Sequence, residues 1–229
     1  MYQYLIFDLD DTLLDFTGGE IAGIRQLFAD ELGIADNRLD DALVTYQEIN
    51  HDLWHRYELD EIPRQEIFDT RFAKTIEALQ VSGDADQLEK DYADMRDHNY
   101  RLIPYASDLL AHLKEKYTII AGTNGQDATQ RLRLKETGLD QYFDQIYTSE
   151  MIGASKPDVA FFERIFNDNP AMTTENTVMI GDGLTSDILG GQSFHLDTIW
   201  INPNKKQAPA DIKATQEVVD LPALEKILK

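Results

Sequence analysis

Cysteine is absent from all 229 residues, which removes disulfides, thiolate zinc sites and thiol nucleophiles from consideration. Positive charge is scarce. Lysine and arginine number 21 against 42 aspartates and glutamates, for a formal net charge of −21. Such a field repels a phosphate backbone, so neither a nucleic acid polymer nor an anionic membrane is expected as a partner. It would also repel a small phosphorylated metabolite unless local cations reverse the sign, which makes every cation near an acidic motif informative. Long apolar runs are missing as well: no stretch of about 20 apolar residues is present, and the N-terminus has neither a basic segment nor a long apolar one of the signal-peptide kind. The expectation is a soluble, cytoplasmic protein. A chain of this length can bury a substantial interior, either as one large domain or as a core with an insertion.

What is present is organised around one stretch. Leu5-Ile6-Phe7 is apolar and β-favouring, and it runs directly into Asp8-Leu9-Asp10-Asp11-Thr12, as a buried parallel strand delivering polar groups at its carboxyl end would. Thr17-Gly18-Gly19 then reads as a hinge or flap rather than a helix interior. From Glu20 to about Asn99, apolar residues recur at helical spacing in four blocks, among them Ile24-Leu27-Phe28, Tyr46-Ile49-Leu53, Phe68-Phe72-Ile76 and Leu88-Tyr92-Met95, and predict four amphipathic helices without a strand. Beyond Ile103 strand and helix alternate: strands at 117–121, 145–147, 177–180 and 198–201, helices at 107–116, 126–136, 157–166, 186–189 and 221–228, the fourth stopped by Gly190-Gly191. Residues 202–216 read as a surface connection. The class is α/β: a Rossmann-like parallel sheet core from residues 1–15 and 100–229, with an all-helical domain, residues 16–99, inserted after the first strand.

Four strand ends carry polar residues in a consistent pattern. They are Asp8-x-Asp10-x-Thr12, Thr123-Asn124-Gly125, Lys156-Pro157, and Gly181-Asp182-Gly183 followed by Asp187. Proline suits the first helical turn, so Lys156 is expected at a helix start, beside the positive end of its dipole. Singly, each is explained as a turn or a cap. Together, each after an apolar strand of one parallel sheet, they converge on a single edge, because parallel strands share their carboxyl ends.

In these motifs the chain resembles the haloacid dehalogenase-like (HAD) hydrolases, a superfamily dominated by magnesium-dependent phosphatases. The likeness spans nearly the whole sequence, and the helical insertion matches the family's cap. It implies that Asp8 is the nucleophile that becomes an aspartyl-phosphate. Asp10 would protonate the leaving oxygen and then activate water. Asp8, the main-chain carbonyl of Asp10 and Asp182 would ligate Mg²⁺; Thr123, Asn124 and Lys156 would bind the phosphoryl group; Asp187 and Thr12 would support them. An acid at position 10 separates this chain from the dehalogenases and phosphonate-cleaving members and favours phosphate esters. A sugar-phosphate phosphatase or a phosphoglucomutase-type mutase stays open, as does an inactive phosphate-binding regulatory protein. The segments around Thr123, Asp182 and Trp200-Ile201-Asn202 look like the bacterial pyrimidine 5′-nucleotidase group, which implies a nucleoside monophosphate as the substrate.

The insertion offers Phe16, Trp54, His55 and Tyr57 as candidates to grip a base, although core packing is the favoured reading for aromatics on an apolar stripe. His51 and His55 have zinc-ligand spacing on a helix but no evident third ligand. Lys205-Lys206 reads as a solvated pair.

Overall fold

The structure is a computed structural model that describes residues 1–58 and 61–228, the side chain of Glu58 excepted. It divides into two compact units, Met1–Phe16 with Tyr100–Lys229, and Thr17–Asn99.

The first unit is built on six parallel strands: β1 (Tyr4–Phe7), β2 (Thr118–Thr123), β3 (Gln145–Thr148), β4 (Thr177–Gly181), β5 (Asp197–Ile201) and β6 (Gln216–Val218), in the order β3-β2-β1-β4-β5-β6. Strand β1 lies between β2 and β4, where the strand order reverses, and ligand sites of open α/β sheets form at the carboxyl ends beside such a point. Apolar residues on both faces explain why the sheet is parallel and buried. Leu5, Phe7, Ile119, Val178 and Ile180 face one core. Ile6, Ile120 and Met179 face another, with Phe161, Phe162 and Ile165.

The helices of this unit are α5 (Ala106–Lys114), α6 (Asp127–Thr137), α7 (Ser149–Ile152), α8 (Val159–Asp168), α9 (Leu189–Ser193) and α10 (Leu221–Leu228). Three local expectations are corrected. Helix α8 starts at Val159 rather than Pro157, because the Asp158 carboxylate accepts the Ala160 N–H at 2.9 Å and caps it. The Lys156-Pro157 peptide, which is cis, precedes the helix. Gly190 and Gly191 lie inside α9 instead of ending it, where Phe162 and Thr198 occupy the space that their side chains would need. Finally, the connection after β5 leads into β6, whose exposed Gln216 and Glu217 leave Val218 as its one buried residue, too little apolar pattern to reveal an edge strand.

The second unit holds α2 (Asp36–Glu58), α3 (Arg64–Leu79), α4 (Ala85–Asp97) and most of α1 (Phe16–Asp30), the four helices their periodicity predicts. Gly18 and Gly19 are not a flap but the first turn of α1. The side chains of Asn99 and Met95 fill the positions where Gly19 and Gly23 would carry a Cβ, so small residues here permit close packing rather than bending. The core centres on Phe28, Tyr46, Phe72 and Tyr92. Arg71, 2 % exposed, lies 4.3 Å from the Tyr92 ring centroid and donates two bonds to Glu89, at 2.5 and 2.7 Å.

Trp54 and Tyr57 pack edge-on and belong with Phe68 to a small apolar cluster. His51 and His55 are exposed and stack on one another. No helix among the described residues is long and apolar enough to cross a membrane.

Candidate active site

Asp8 follows β1 and donates its N–H to the Ile180 carbonyl of β4 at 2.9 Å, one residue beyond the paired strand. The chain then turns sharply. Asp11 takes a left-handed φ of 57°, which Asp tolerates better than most residues, and its N–H bonds the Leu14 carbonyl at 2.7 Å. The turn brings Thr12 back beneath the site. Its hydroxyl accepts the Asp182 N–H at 3.1 Å and lies 3.4 Å from one carboxylate oxygen each of Asp8 and Asp182.

Lys156 is the hub. Its Nζ donates to Asp8 Oδ1 at 2.7 Å, to Asp187 Oδ1 at 2.6 Å and to the Gly122 carbonyl at 2.6 Å, which uses all three ammonium protons. The side chains of Lys156 and Asp187 are each 1 % exposed, whereas Asp8 keeps 11 %. The nucleophile candidate is therefore the member of the trio that can be approached. Asp187 also accepts the Gly183 N–H at 2.9 Å, and Trp200 Nε1 donates to the Asp182 carbonyl at 2.9 Å, fixing that loop from β5.

Asn124 serves Lys156. Its amide nitrogen donates to the Lys156 carbonyl and its amide oxygen accepts the Lys156 N–H, both at 2.9 Å. Its side chain thus braces the lysine's main chain. Thr123 Oγ1 accepts from the Gly125 N–H and from Gln130 Nε2, each at 3.0 Å. Both Asp10 carboxylate oxygens are held from α6, by Arg133 Nη1 and Gln130 Nε2 at 2.6 Å each. Neither of these two residues stood out in the sequence.

Electrostatics follow from burial. Burial pushes the Asp8 carboxyl well above the ordinary carboxylate range; Lys156 pulls it down, and Asp187, Asp182 and Asp10 push it up. Burial alone would make Lys156 easier to deprotonate, but Asp187 and Asp8 more than reverse this and tighten its hold on the proton. Asp182 is pushed up to about 7, by burial first and then by Asp187 and Asp11.

One oxygen from each of Asp8, Asp182 and Asp187 lies within 4.8 Å of the others, and Lys156 is the cation bonded among them. Three carboxylates with one ammonium bonded to two of them, Asp8 and Asp187, hold excess negative charge, and their ligand atoms are all oxygen. That chemistry fits a hard divalent cation such as Mg²⁺. The Asp10 carboxylate is held by α6 and lies outside this set, whereas Asp187 joins it directly.

This arrangement has relatives. A family model for haloacid dehalogenase-like hydrolases matches residues 2–195. The pyrimidine 5′-nucleotidase PynA of Streptococcus pneumoniae is 38% identical over 218 residues, covering 95% of this chain and 91% of that protein. The pyrimidine 5′-nucleotidase YjjG of Escherichia coli is 30% identical, covering 99% and 98%. The HAD-hydrolase YfnB of Bacillus subtilis is 37% identical over 227 residues, covering 99% and 95%. Its magnesium-bound crystal structure superposes with a TM-score of 0.91 over 100% of this chain and 99% of that one, at 36% identity. With its strand order, its strand-end carboxylates and these matches, the chain belongs to the haloacid dehalogenase-like hydrolases.

Proposed function

We propose that this hydrolase is a Mg²⁺-dependent phosphomonoesterase that works through an aspartyl-phosphate on Asp8 and acts on pyrimidine nucleoside 5′-monophosphates. The observation that carries the chemistry is the Lys156 bridge: a buried lysine 2.7 Å from the partly open Asp8, with Thr123 and Asp10 joined through Gln130 beside it. The substrate class rests on the likeness to PynA and YjjG.

Enzymatic hydrolysis of phosphate monoesters reaches about 10²¹-fold over the uncatalysed reaction, roughly 28 kcal/mol. A general acid supplies about 10²–10⁴ of that factor, so charge stabilisation and positioning must supply most of the rest. Asp8, Asp182 and the Asp10 carbonyl, with Asp187 adjoining, would hold Mg²⁺. When bound it offsets the charge of the carboxylates and of the phosphate oxygens. Lys156 supplies positive charge beside the phosphoryl group, and the Thr123 hydroxyl orients it. Asp8 attacks phosphorus as the bond to the ester oxygen breaks, and Asp10 gives its proton to that oxygen. Asp10 then takes a proton from the water that hydrolyses the acyl-phosphate, returning phosphate and free Asp8.

Asp8→Asn tests the covalent route: phosphate release is expected to vanish, and release at the wild-type rate would refute it. For the substrate class, nucleotides and sugar phosphates are compared by kcat/KM with and without Mg²⁺. Higher values for sugar phosphates would overturn the nucleotide assignment, and an isomer formed without phosphate release would mark a mutase.

A further inference from the structure

Helix α6 turns polar side chains inward. Gln130 and Arg133, each 1 % exposed, occupy positions where a helix on a sheet ordinarily presents apolar groups. Their bonds converge on two site residues. Gln130 Nε2 donates both to Asp10 Oδ2 at 2.6 Å and to Thr123 Oγ1 at 3.0 Å. Arg133 Nη1 donates to Asp10 Oδ1 at 2.6 Å and to Gln130 Oε1 at 3.1 Å. The Phe16 ring flanks the guanidinium, with its centroid 5.8 Å from Cζ.

We infer that Gln130, buttressed by Arg133, is a positioning residue that fixes the Asp10 carboxyl relative to the phosphate-binding hydroxyl of Thr123. The inference rests on the reading of Asp10 as the proton donor to the leaving oxygen. An amide whose two protons and oxygen are all bonded has one orientation. It therefore sets the spacing between its two acceptors, one on the loop after β1 and one at the end of β2. The Asp10 side chain is 30 % exposed and would otherwise sample several rotamers, and misplacing a reacting group by about 1 Å costs on the order of 10²-fold in rate. The sequence around α6 leaves room for this device. At Gly125 a Cβ would overlap the Gln130 amide, so glycine is required there for Gln130 to reach both partners.

The test compares two leaving groups. A nucleoside monophosphate expels an alkoxide that needs a proton, whereas p-nitrophenyl phosphate expels a stable anion that does not. In Gln130→Met, kcat/KM for the nucleotide should fall about 10²-fold or more, and for the aryl ester less than about 10-fold. The ratio of the two values does not depend on the folded fraction, so a folding defect cannot imitate the result. Gly125→Ala, which displaces Gln130 without deleting it, should shift the ratio in the same direction. Equal losses on both substrates, or none, would overturn the inference. Asp10→Asn, measured in parallel, separates it from the reading beneath it. If that variant shifts the ratio and the Gln130 variant does not, the positioning role is wrong; if it leaves the ratio unchanged, the proton-donor reading fails and the positioning role fails with it.

Discussion

Burial of Asp182, together with the negative charge of Asp187 and Asp11 beside it, should make the metal-free protein less stable as pH rises, opposite to the behaviour of a salt-bridged carboxylate. The Asp182 carboxyl is pushed up from 3.8 to about 7, so the folded state keeps this proton after the unfolded chain has lost it. Between those values the folded state binds more protons than the unfolded one, and stability falls with each step in pH. Below about pH 4 the group costs nothing, and above about pH 7 the loss is complete. A span of roughly three pH units at 1.36 kcal/mol each gives about 4 kcal/mol. Asp182→Asn removes the charge while keeping the shape, so the difference between variant and wild type isolates this group from the other acids.

The assay is urea unfolding in the presence of a chelator at pH 4.5, 5.5, 6.5 and 7.5. The variant should gain on the wild type by about 3 kcal/mol across the series, since about 1 kcal/mol of the cost is already present at pH 4.5. Trp200 fluorescence reports on the right unit, since its indole bonds the Asp182 carbonyl. In excess Mg²⁺ the sign should change at neutral pH, because the wild type gains metal-binding energy that the variant has lost. A difference that stays flat with pH, or one that Mg²⁺ leaves untouched, would refute the argument that burial and neighbouring like charge hold the Asp182 proton.

Two further perturbations probe the charges that hold the units together internally. Lys156→Met strands Asp8 and Asp187 without their counter-ion and should cost about 3–5 kcal/mol at pH 7.5; the cost should shrink at pH 5, because burial already pushes the Asp8 carboxyl up and the variant loses the cation that pulls it down, and a pH-independent loss would contradict it. Arg71→Met removes the stack on Tyr92 and the paired bonds to Glu89. Glu89 keeps 21 % of its side chain exposed and can be solvated, so the expected loss is about 2–3 kcal/mol, read as a lower unfolding midpoint of the helical unit.

Strands with strong apolar pattern were legible because both faces of a parallel sheet are buried, which leaves runs such as Leu5-Ile6-Phe7 and Val178-Met179-Ile180 with no competing interpretation. β6 was not, since a three-residue edge strand with one buried side chain has no periodicity to read. Gly18-Gly19 misled for a related reason: glycine signals either a bend or a close approach, and only the positions of Asn99 and Met95 decide between them. For α6 a usable signal was present. Its inward positions, Thr129, Gln130, Arg133 and Leu134, are mostly polar, and a sheet-packed helix with a polar inner face must find partners for those groups.

The site shows where such reading stops. Residue type and strand-end position are enough to predict that Asp8, Asp10, Thr123, Lys156 and Asp182 meet at one sheet edge. Which atoms are consumed by neighbours is a tertiary fact. The Asn124 side-chain amide bonds both main-chain groups of Lys156. Asp187, expected as a support, lies within the acidic cluster and takes one bond of the lysine. Both contacts serve one end: a single ammonium is held against Asp8 and Asp187 in a buried place, with a braced lysine backbone on one side and a second anionic partner on the other. Lys156 therefore does more than bind an anion. Without a metal it is the ion-paired cation beside the buried Asp8, and the negative charge it leaves uncompensated would favour a divalent cation there.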